Sequence, residues 1–257
     1  HGSQTYISSI TISGGSIVKV QSTYGSLGTG NPNTFIRPSN ITNNFRVQTW
    51  GAGGGGGGAD REQPGGLNET INGVVQIDGN TRPGGYGAAG GSAGHYAESS
   101  LNLTNPSYSI EVGMAGLRGL GAETGEQVQT NGSHGGQTVF GNGLVRAKGG
   151  RGGLATDNGS QGSTSASGSG SSNIGDIITQ GDSGEGTQWC VGWRTGGGDG
   201  GSSSVGQGGV ATGSCHNPSN SSNGGYAAGG GGGSGNNYSS TGTHGGLGGS
   251  GKIVITW

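Results

Sequence analysis

The chain is short of every ingredient of an ordinary protein interior. Of its 257 residues 26% are hydrophobic and 5% aromatic, with three phenylalanines and one methionine. A domain of this length with a conventional core has about two fifths of its residues in that non-glycine apolar class, so side-chain burial can account for only part of this fold. Charge is scarce too, at 9% of residues with a net charge of −2. That meets only half of the disorder signature, which combines low hydrophobicity with high charge. It also leaves no basic stripe to neutralise phosphates, which argues against nucleic acid as a partner. No apolar run reaches the roughly 18 residues of a membrane-spanning helix, so no membrane span is expected.

Cysteine is limited to Cys190 and Cys215, too far apart for a CxxC metal or redox pair and set in the loop-like stretches QWCVGW and GSCHNP. We read them as a disulfide, which chain entropy values at about 3 kcal/mol. A disulfide in turn implies an oxidising, extracellular location. Six prolines and the lack of a strict Gly-X-Y period exclude a collagen triple helix. The first residues, His1-Gly2-Ser3, fit either a processed terminus or a tag remnant, with no signal peptide ahead of them.

Glycine is what the chain has instead: 69 residues of it, including six in a row from Gly53 to Gly58. The run follows NFRVQTW, a strand-like segment in which Phe45, Val47 and Thr49 alternate with Arg46, Gln48 and Trp50. SITI and SIVKV upstream are short and β-branched, and turn residues separate them. Further islands, NGVVQID, HYAESSLNLT, YSIEVGM, QTVF and GLVRAKGG, punctuate the glycine region, and GKIVITW closes the chain with Ile253, Ile255 and Trp257 on one face. The best strands lie early and late, so they are expected to pair and to bracket the glycine region within one sheet. We divide the chain into an N-terminal β-strand segment, 1–43, and a glycine-rich body, 44–257.

Glycine blocks can be tethers, and residues 160–175, SQGSTSASGSGSSNIG, read as a flexible linker or as ordered structure with equal weight. Other blocks carry apolar residues that a tether has no use for, as in GGYGAAGGSAGHY, GMAGLRGLGA and GGYAAGGGGGSG. Extended three-residue-per-turn helices make no internal hydrogen bonds, so their amides need lateral partners. Only glycine lets such helices lie close enough to supply them. The expected fold is all-β, a jelly-roll-like β-sandwich with a bundle of polyglycine II helices and essentially no α-helix.

The order WGAGGGGGGA, GGYGAAGGSAGHYAESSLNL, YSIEVGMAG, QTVFG, AKGGRGG and GKIVITW resembles the glycine-rich domain found at the ends of phage tail fibres. More distantly it is similar to host-recognition adhesins of T-even-type phages and to glycine-rich regions of receptor ectodomains. The resemblance spans residues 44–257 and implies a polyglycine-II-containing fibre or adhesin domain.

Chemical motifs are weak by comparison. GLGGSGKI, residues 246–253, nearly spells a phosphate-binding loop, but Ile253 replaces the Ser/Thr that would touch magnesium and the segment enters a strand. His95, His134, His216 and His244 lack metal-ligand spacing and read as turn or surface residues, so no metal or cofactor is expected. Single carboxylates and the lack of a Gly-x-Ser-x-Gly elbow speak against an enzyme. Tyr86, Trp189, Trp193, Tyr226 and Tyr238 lie in glycine-rich loops, where they serve equally well to cap the lattice or to stack on sugars or a receptor. Asn-x-Ser/Thr sequons at Asn40, Asn68, Asn102, Asn131, Asn158, Asn220 and Asn237 permit glycosylation.

The leading expectation is a non-enzymatic subunit of an extracellular fibre that partners copies of itself. Ile7, Ile10, Ile12, Ile17, Val18 and Val20 would be buried on a neighbouring copy as a donated strand. The alternative is a fibre-tip adhesin binding a host receptor or glycan.

Overall fold

The computed structural model describes residues 5–9, 19–23, 33–37, 44–59, 69–71, 74–76, 87–121, 130–155, 172–186, 188–190, 194–211, 221–233 and 243–257. Among these there is no α-helix, and the regular elements are strands. The chain opens with β1 (Thr5–Ser9) and β2 (Lys19–Thr23), then β3 (Asn33–Ile36) and β4 (Phe45–Trp50). Short strands β5 (Glu69–Ile71) and β6 (Val74–Gln76) precede β7 (Tyr96–Leu101), β8 (Ser107–Glu111), β9 (Thr138–Phe140) and β10 (Val145–Ala147). They are followed by β11 (Ile177–Thr179), β12 (Gln188–Cys190), β13 (Arg194–Gly196) and β14 (Lys252–Thr256).

Two four-stranded antiparallel sheets, ordered β11-β7-β4-β14 and β10-β9-β8-β3, share one apolar core. The alternation in NFRVQTW fixes which way β4 faces: Phe45, Val47 and Thr49 are fully buried toward the core. As the alternation in GKIVITW predicts, Ile253 and Ile255 enter the same core and Trp257 packs against it. The first-with-last pairing holds for β4 and β14, with Lys252 opposite Trp50 and Ile255 opposite Val47. Three phenylalanines suffice because they cluster: Phe35 lies about 6 Å, ring to ring, from Phe45, Phe140 and Trp257. Phe35 belongs to β3, on the N-terminal side of residue 43, so residues 33–36 are part of the body's second sheet.

The strands run directly into glycine segments at one end of the sheets, and there the backbone period changes from two to three. Nine consecutive amides, from Gly51 to Ala59, donate in rotation to three neighbouring segments at 2.8 to 3.0 Å. Gly51, Gly54 and Gly57 bond the carbonyls of His95, Ser92 and Ala89; Ala52, Gly55 and Gly58 those of Gly136, Ser133 and Thr130; Gly53, Gly56 and Ala59 those of Gly249, Gly246 and Thr243. Acceptor numbers fall by three as donor numbers rise by three, so these neighbours run antiparallel. Carbonyls accept in the same rotation, Ala52 and Gly55 from Gly150 and Gly153, Gly53 and Gly56 from Gly116 and Gly119, Gly54 and Gly57 from Gly230 and Gly233. These three neighbours run parallel, and six segments enclose the seventh.

Residues 51–59, 87–95 and 227–233 are buried along their whole length and, His95 apart, carry no side chain larger than serine or alanine. The outer segment 113–121 needs glycine only where it faces inward: Gly116 and Gly119 bond to the centre while Leu117 and Leu120 stay exposed. These glycines are required by space rather than by backbone handedness, because among the described glycines only Gly141 and Gly143, in the β9–β10 turn, have positive φ.

The linker reading of 160–175 is corrected where the chain is described. Ile174 bridges Arg146, and the Asn173 side-chain carbonyl accepts the Lys148 amide at 2.8 Å, so 172–175 is tied to β10. The rest of that stretch lies outside the described residues. A methyl group at Gly56 would run into the carbonyl of Gly231 from a neighbouring segment. Gly56→Ala is therefore expected to destabilise by at least about 3 kcal/mol in chemical denaturation. Leu117→Ser, on an exposed outer position, is expected to stay within about 0.5 kcal/mol.

Candidate functional site

The ends of the glycine segments sort the sequence candidates into two groups. Away from the sheets, Ala59 bonds Thr243, Gly58 bonds Thr130, Thr130 bonds Leu120, Ala88 bonds Gly233 and Ala89 bonds Leu154. The described segments thus end on this far side of the bundle at Ala59, Gly121 and Gly233 and resume there at Gly87, Thr130 and Thr243. Tyr86, Tyr238, Trp193 and Cys215 lie outside the described residues. Trp189 and Cys190 sit in β12, paired with β13. β13 ends at Gly196, whose carbonyl abuts Gly87 at the same far end. Tyr226 alone falls at the opposite end, 44% exposed in a turn beside the sheets.

Around Tyr226 the sheet's outer face holds a connected set of polar and aromatic groups. Glu98 on β7 is gripped by Arg46 on β4 through two bonds, Nε to Oε1 at 2.6 Å and Nη2 to Oε2 at 2.9 Å. Gln48 donates to Glu98 Oε2 at 3.0 Å, and the Tyr96 hydroxyl donates to the same oxygen. Gln48 lies directly opposite Glu98 in the β4–β7 register, with Arg46 diagonal to it, two residues along β4 on the same face. Trp50 is buried on this outer face because a turn covers it, its indole donating to Ser204 Oγ at 2.8 Å. Lys252 Nζ stands 5.7 Å from the Trp50 ring and 5.8 Å from that of Tyr226.

The Arg46 hydrogen bonds, above all, hold the Glu98 carboxyl down to about 2, with Tyr96 and Gln48 adding to them against the opposing effect of burial. Burial first, then the bond to Glu98, pushes the Tyr96 phenol up. A carboxylate so fully occupied and so acidic has no proton to give or take near neutrality, so this cluster fastens strands and does no acid–base chemistry.

Two histidines act as backbone caps: His134 Nδ1 accepts from the Gly152 amide at 3.0 Å, and His244 Nδ1 from that of Gly121 at 2.9 Å. The surface reading of His95 is corrected, because it ends an inner segment and is 4% exposed. Asn173 spends its carbonyl on Lys148, which turns its amide nitrogen toward His95 Nδ1 at 2.7 Å and makes that atom the acceptor. Burial, then the charge of Lys148, lowers the His95 pKa, so the ring is neutral. No group of three or more metal-ligating side chains occurs among the described residues.

β1 and β2 pair only with each other among the described residues, with Ile7 opposite Gln21 and Ser8 opposite Val20. Ile10, Ile12, Ile17 and Val18 lie outside the described residues. β3 and β14 are edge strands, each with one partner, β8 and β4 respectively. Among the sequons, Asn102 and Asn131 are exposed, while Asn40, Asn68, Asn158, Asn220 and Asn237 lie outside the described residues.

No protein-family model matches the chain, and no curated protein matches it.

The Glu98 cluster gives a signed prediction. Its carboxyl is held lower in the folded state than its ordinary 4.5, so its contribution is complete above about pH 4.5 and is lost as pH falls toward about 2. Stability of the wild type relative to Glu98→Gln is expected to shrink over that window. At pH 7 the substitution is expected to cost about 1–2 kcal/mol, limited by the exposure of Arg46. Parallel denaturant titrations at pH 7 and pH 2.5 check both.

Proposed function

We propose that the chain is a non-enzymatic structural subunit of an extracellular fibre, joined to the next copy through its N-terminal strands. The observation that carries this reading is that β1 and β2 pair with no other strand among the described residues, while β3 and β14 each leave one edge open. An open edge of sequence KIVIT is a liability in a solitary protein, and a strand from a neighbour removes it. Burial of three or four of Ile7, Ile10, Ile12, Ile17, Val18 and Val20 would contribute about 5 to 10 kcal/mol before ordering costs. Ladder bonds would add direction and register.

In this reading the three-residue rotation of hydrogen bonds is that of polyglycine II, and the two four-stranded sheets form a jelly-roll-like sandwich. The resemblance to phage tail-fibre domains agrees with a rigid body of this kind. A Cys190–Cys215 disulfide fits an oxidising, extracellular setting.

A second reading, a fibre-tip adhesin for a host receptor or glycan, has its own observation. The described chain leaves the bundle at one end after Ala59, Gly121 and Gly233 and resumes there at Gly87, Thr130 and Thr243, and the sequence between those points includes Tyr86 and Tyr238. Aromatic side chains on connections held by a rigid scaffold are a common way to present a binding surface.

Deletion of residues 1–20 is expected to abolish long assemblies in electron micrographs while near-native thermal unfolding of the body persists. Assembly undiminished by the deletion would transfer the function to the adhesin reading. Mass mapping of unreduced peptides is expected to find Cys190 joined to Cys215. Two free thiols would remove the support for an oxidising compartment.

A further inference from the structure

The outer face of the second sheet carries a cleft of about 340 Å³ that neither reading uses. Register places its floor: Glu111 on β8 and Arg146 on β10 both lie opposite Val139 on β9, so the three side chains form a row across three strands. Their neighbours Ile110, Phe140, Val145 and Ala147 point into the core, which turns the row outward. Gln137, Ser109 and Asn142 complete the walls. The Ser109 hydroxyl and the Asn142 side-chain carbonyl are bonded to each other at 2.8 Å, which steadies the turn beside the cleft.

Two atoms at this site are buried and have no partner: Arg146 Nε, a donor, and Gln137 Oε1, an acceptor. Leaving such groups unpaired costs free energy, and native structures rarely tolerate it without a reason. The charges are unspent as well. Glu111 and Arg146 line the cleft and form no ion pair with each other. Burial raises the Glu111 pKa, and the charge of Arg146 opposes that rise. A partner that suits the cleft must accept from a guanidinium, donate to an amide carbonyl and a carboxylate, and carry no net charge, since the two protein charges already balance.

We propose that this cleft is a saccharide-binding site for a single neutral pyranose ring. Vicinal hydroxyls donate and accept at once, which matches an orphan donor and an orphan acceptor on residues lining one cleft. Val139 offers an apolar floor for a C–H face of the ring. The volume stands at the low end of the roughly 300–1,000 Å³ of small-molecule sites, enough for one ring and too little for an extended chain. Glycoside hydrolysis needs two carboxyl groups flanking the bond, and among the described residues Glu111 is the only carboxylate lining the cleft, so the proposal is one of binding.

The test uses the full chain and a panel of methyl pyranosides (gluco, galacto, manno, fuco and N-acetylglucosamine) at millimolar concentration, followed by ¹⁵N–¹H spectra. At least one glycoside is expected to shift the Arg146 Nε–H and the Val139 amide with millimolar affinity. Arg146→Lys, which keeps the charge and moves the donor, and Gln137→Leu are each expected to weaken that binding tenfold or more while the core resonances of Phe140 and Ile255 stay put. Fibre assembly by Arg146→Lys is expected to match that of the wild type, which separates this site from the N-terminal joining mechanism. The proposal is overturned if no glycoside perturbs the cleft, if the shifts survive both substitutions, or if Arg146→Lys abolishes assembly, since the cleft would then be a subunit contact.

Discussion

Everything in this fold rests on the lateral hydrogen bond between backbones that carry no side chains. An extended backbone segment satisfies none of its own amides, so it is stable only when neighbours surround it. In the segment 51–59 every amide finds a carbonyl on a neighbour, in strict rotation among three segments. Six glycines in a row are costly in conformational entropy, and only satisfaction of this kind offsets the loss. The shortage of apolar side chains and the excess of glycine are therefore one fact: close contact between backbones replaces much of the hydrophobic interior.

The sheets make that bundle possible. A glycine segment has little sequence information to choose its partners, because one glycine looks like another. Strand pairing supplies the choice. β4 lies between β7 and β14, so residues 51–59 leave the sheet already between 87–95 and 243–249. At the junction Thr138 is fully buried, donating its hydroxyl to the Trp50 carbonyl at 2.6 Å and accepting the Gly113 amide at 3.1 Å. One side chain thus ties the last residue of a strand in the first sheet to the segment that follows β8 in the second. A modest apolar core sets the register, and the register is then propagated through backbone.

How legible this was in the sequence follows from the same division. Alternation announced β4 and β14, whose Phe45, Val47, Ile253 and Ile255 fall where the pattern puts them. β11 gave no such signal: Ile177 and Ile178 are both about half exposed on an edge strand, and nothing alternates. His95 looked like a surface residue because its burial depends on its place at the end of an inner segment, which no local pattern encodes. The outer position of 113–121 was written in its glycine period, Gly113, Gly116, Gly119, with Leu117 and Leu120 turned outward. The inner runs, uniform in composition, showed that they are enclosed without showing by whom. The cleft on the second sheet needed three strands brought together from positions 111, 139 and 146, and so was invisible before folding.

A scaffold of this kind separates stability from recognition more cleanly than a side-chain core does. In a conventional domain, a substitution near a binding loop disturbs packing beneath it, because the same side chains serve both. Here the bundle beneath the far-end connections is backbone bonded to backbone, and the requirement it places on sequence is the absence of bulk at inward positions. The sheet end is the opposite case: Glu98, Arg46, Tyr96 and Gln48 are mutually committed, and a change in one leaves the others with unmet bonds. The bundle therefore constrains its inward positions by bulk alone, whereas the sheet end constrains its side chains one against another.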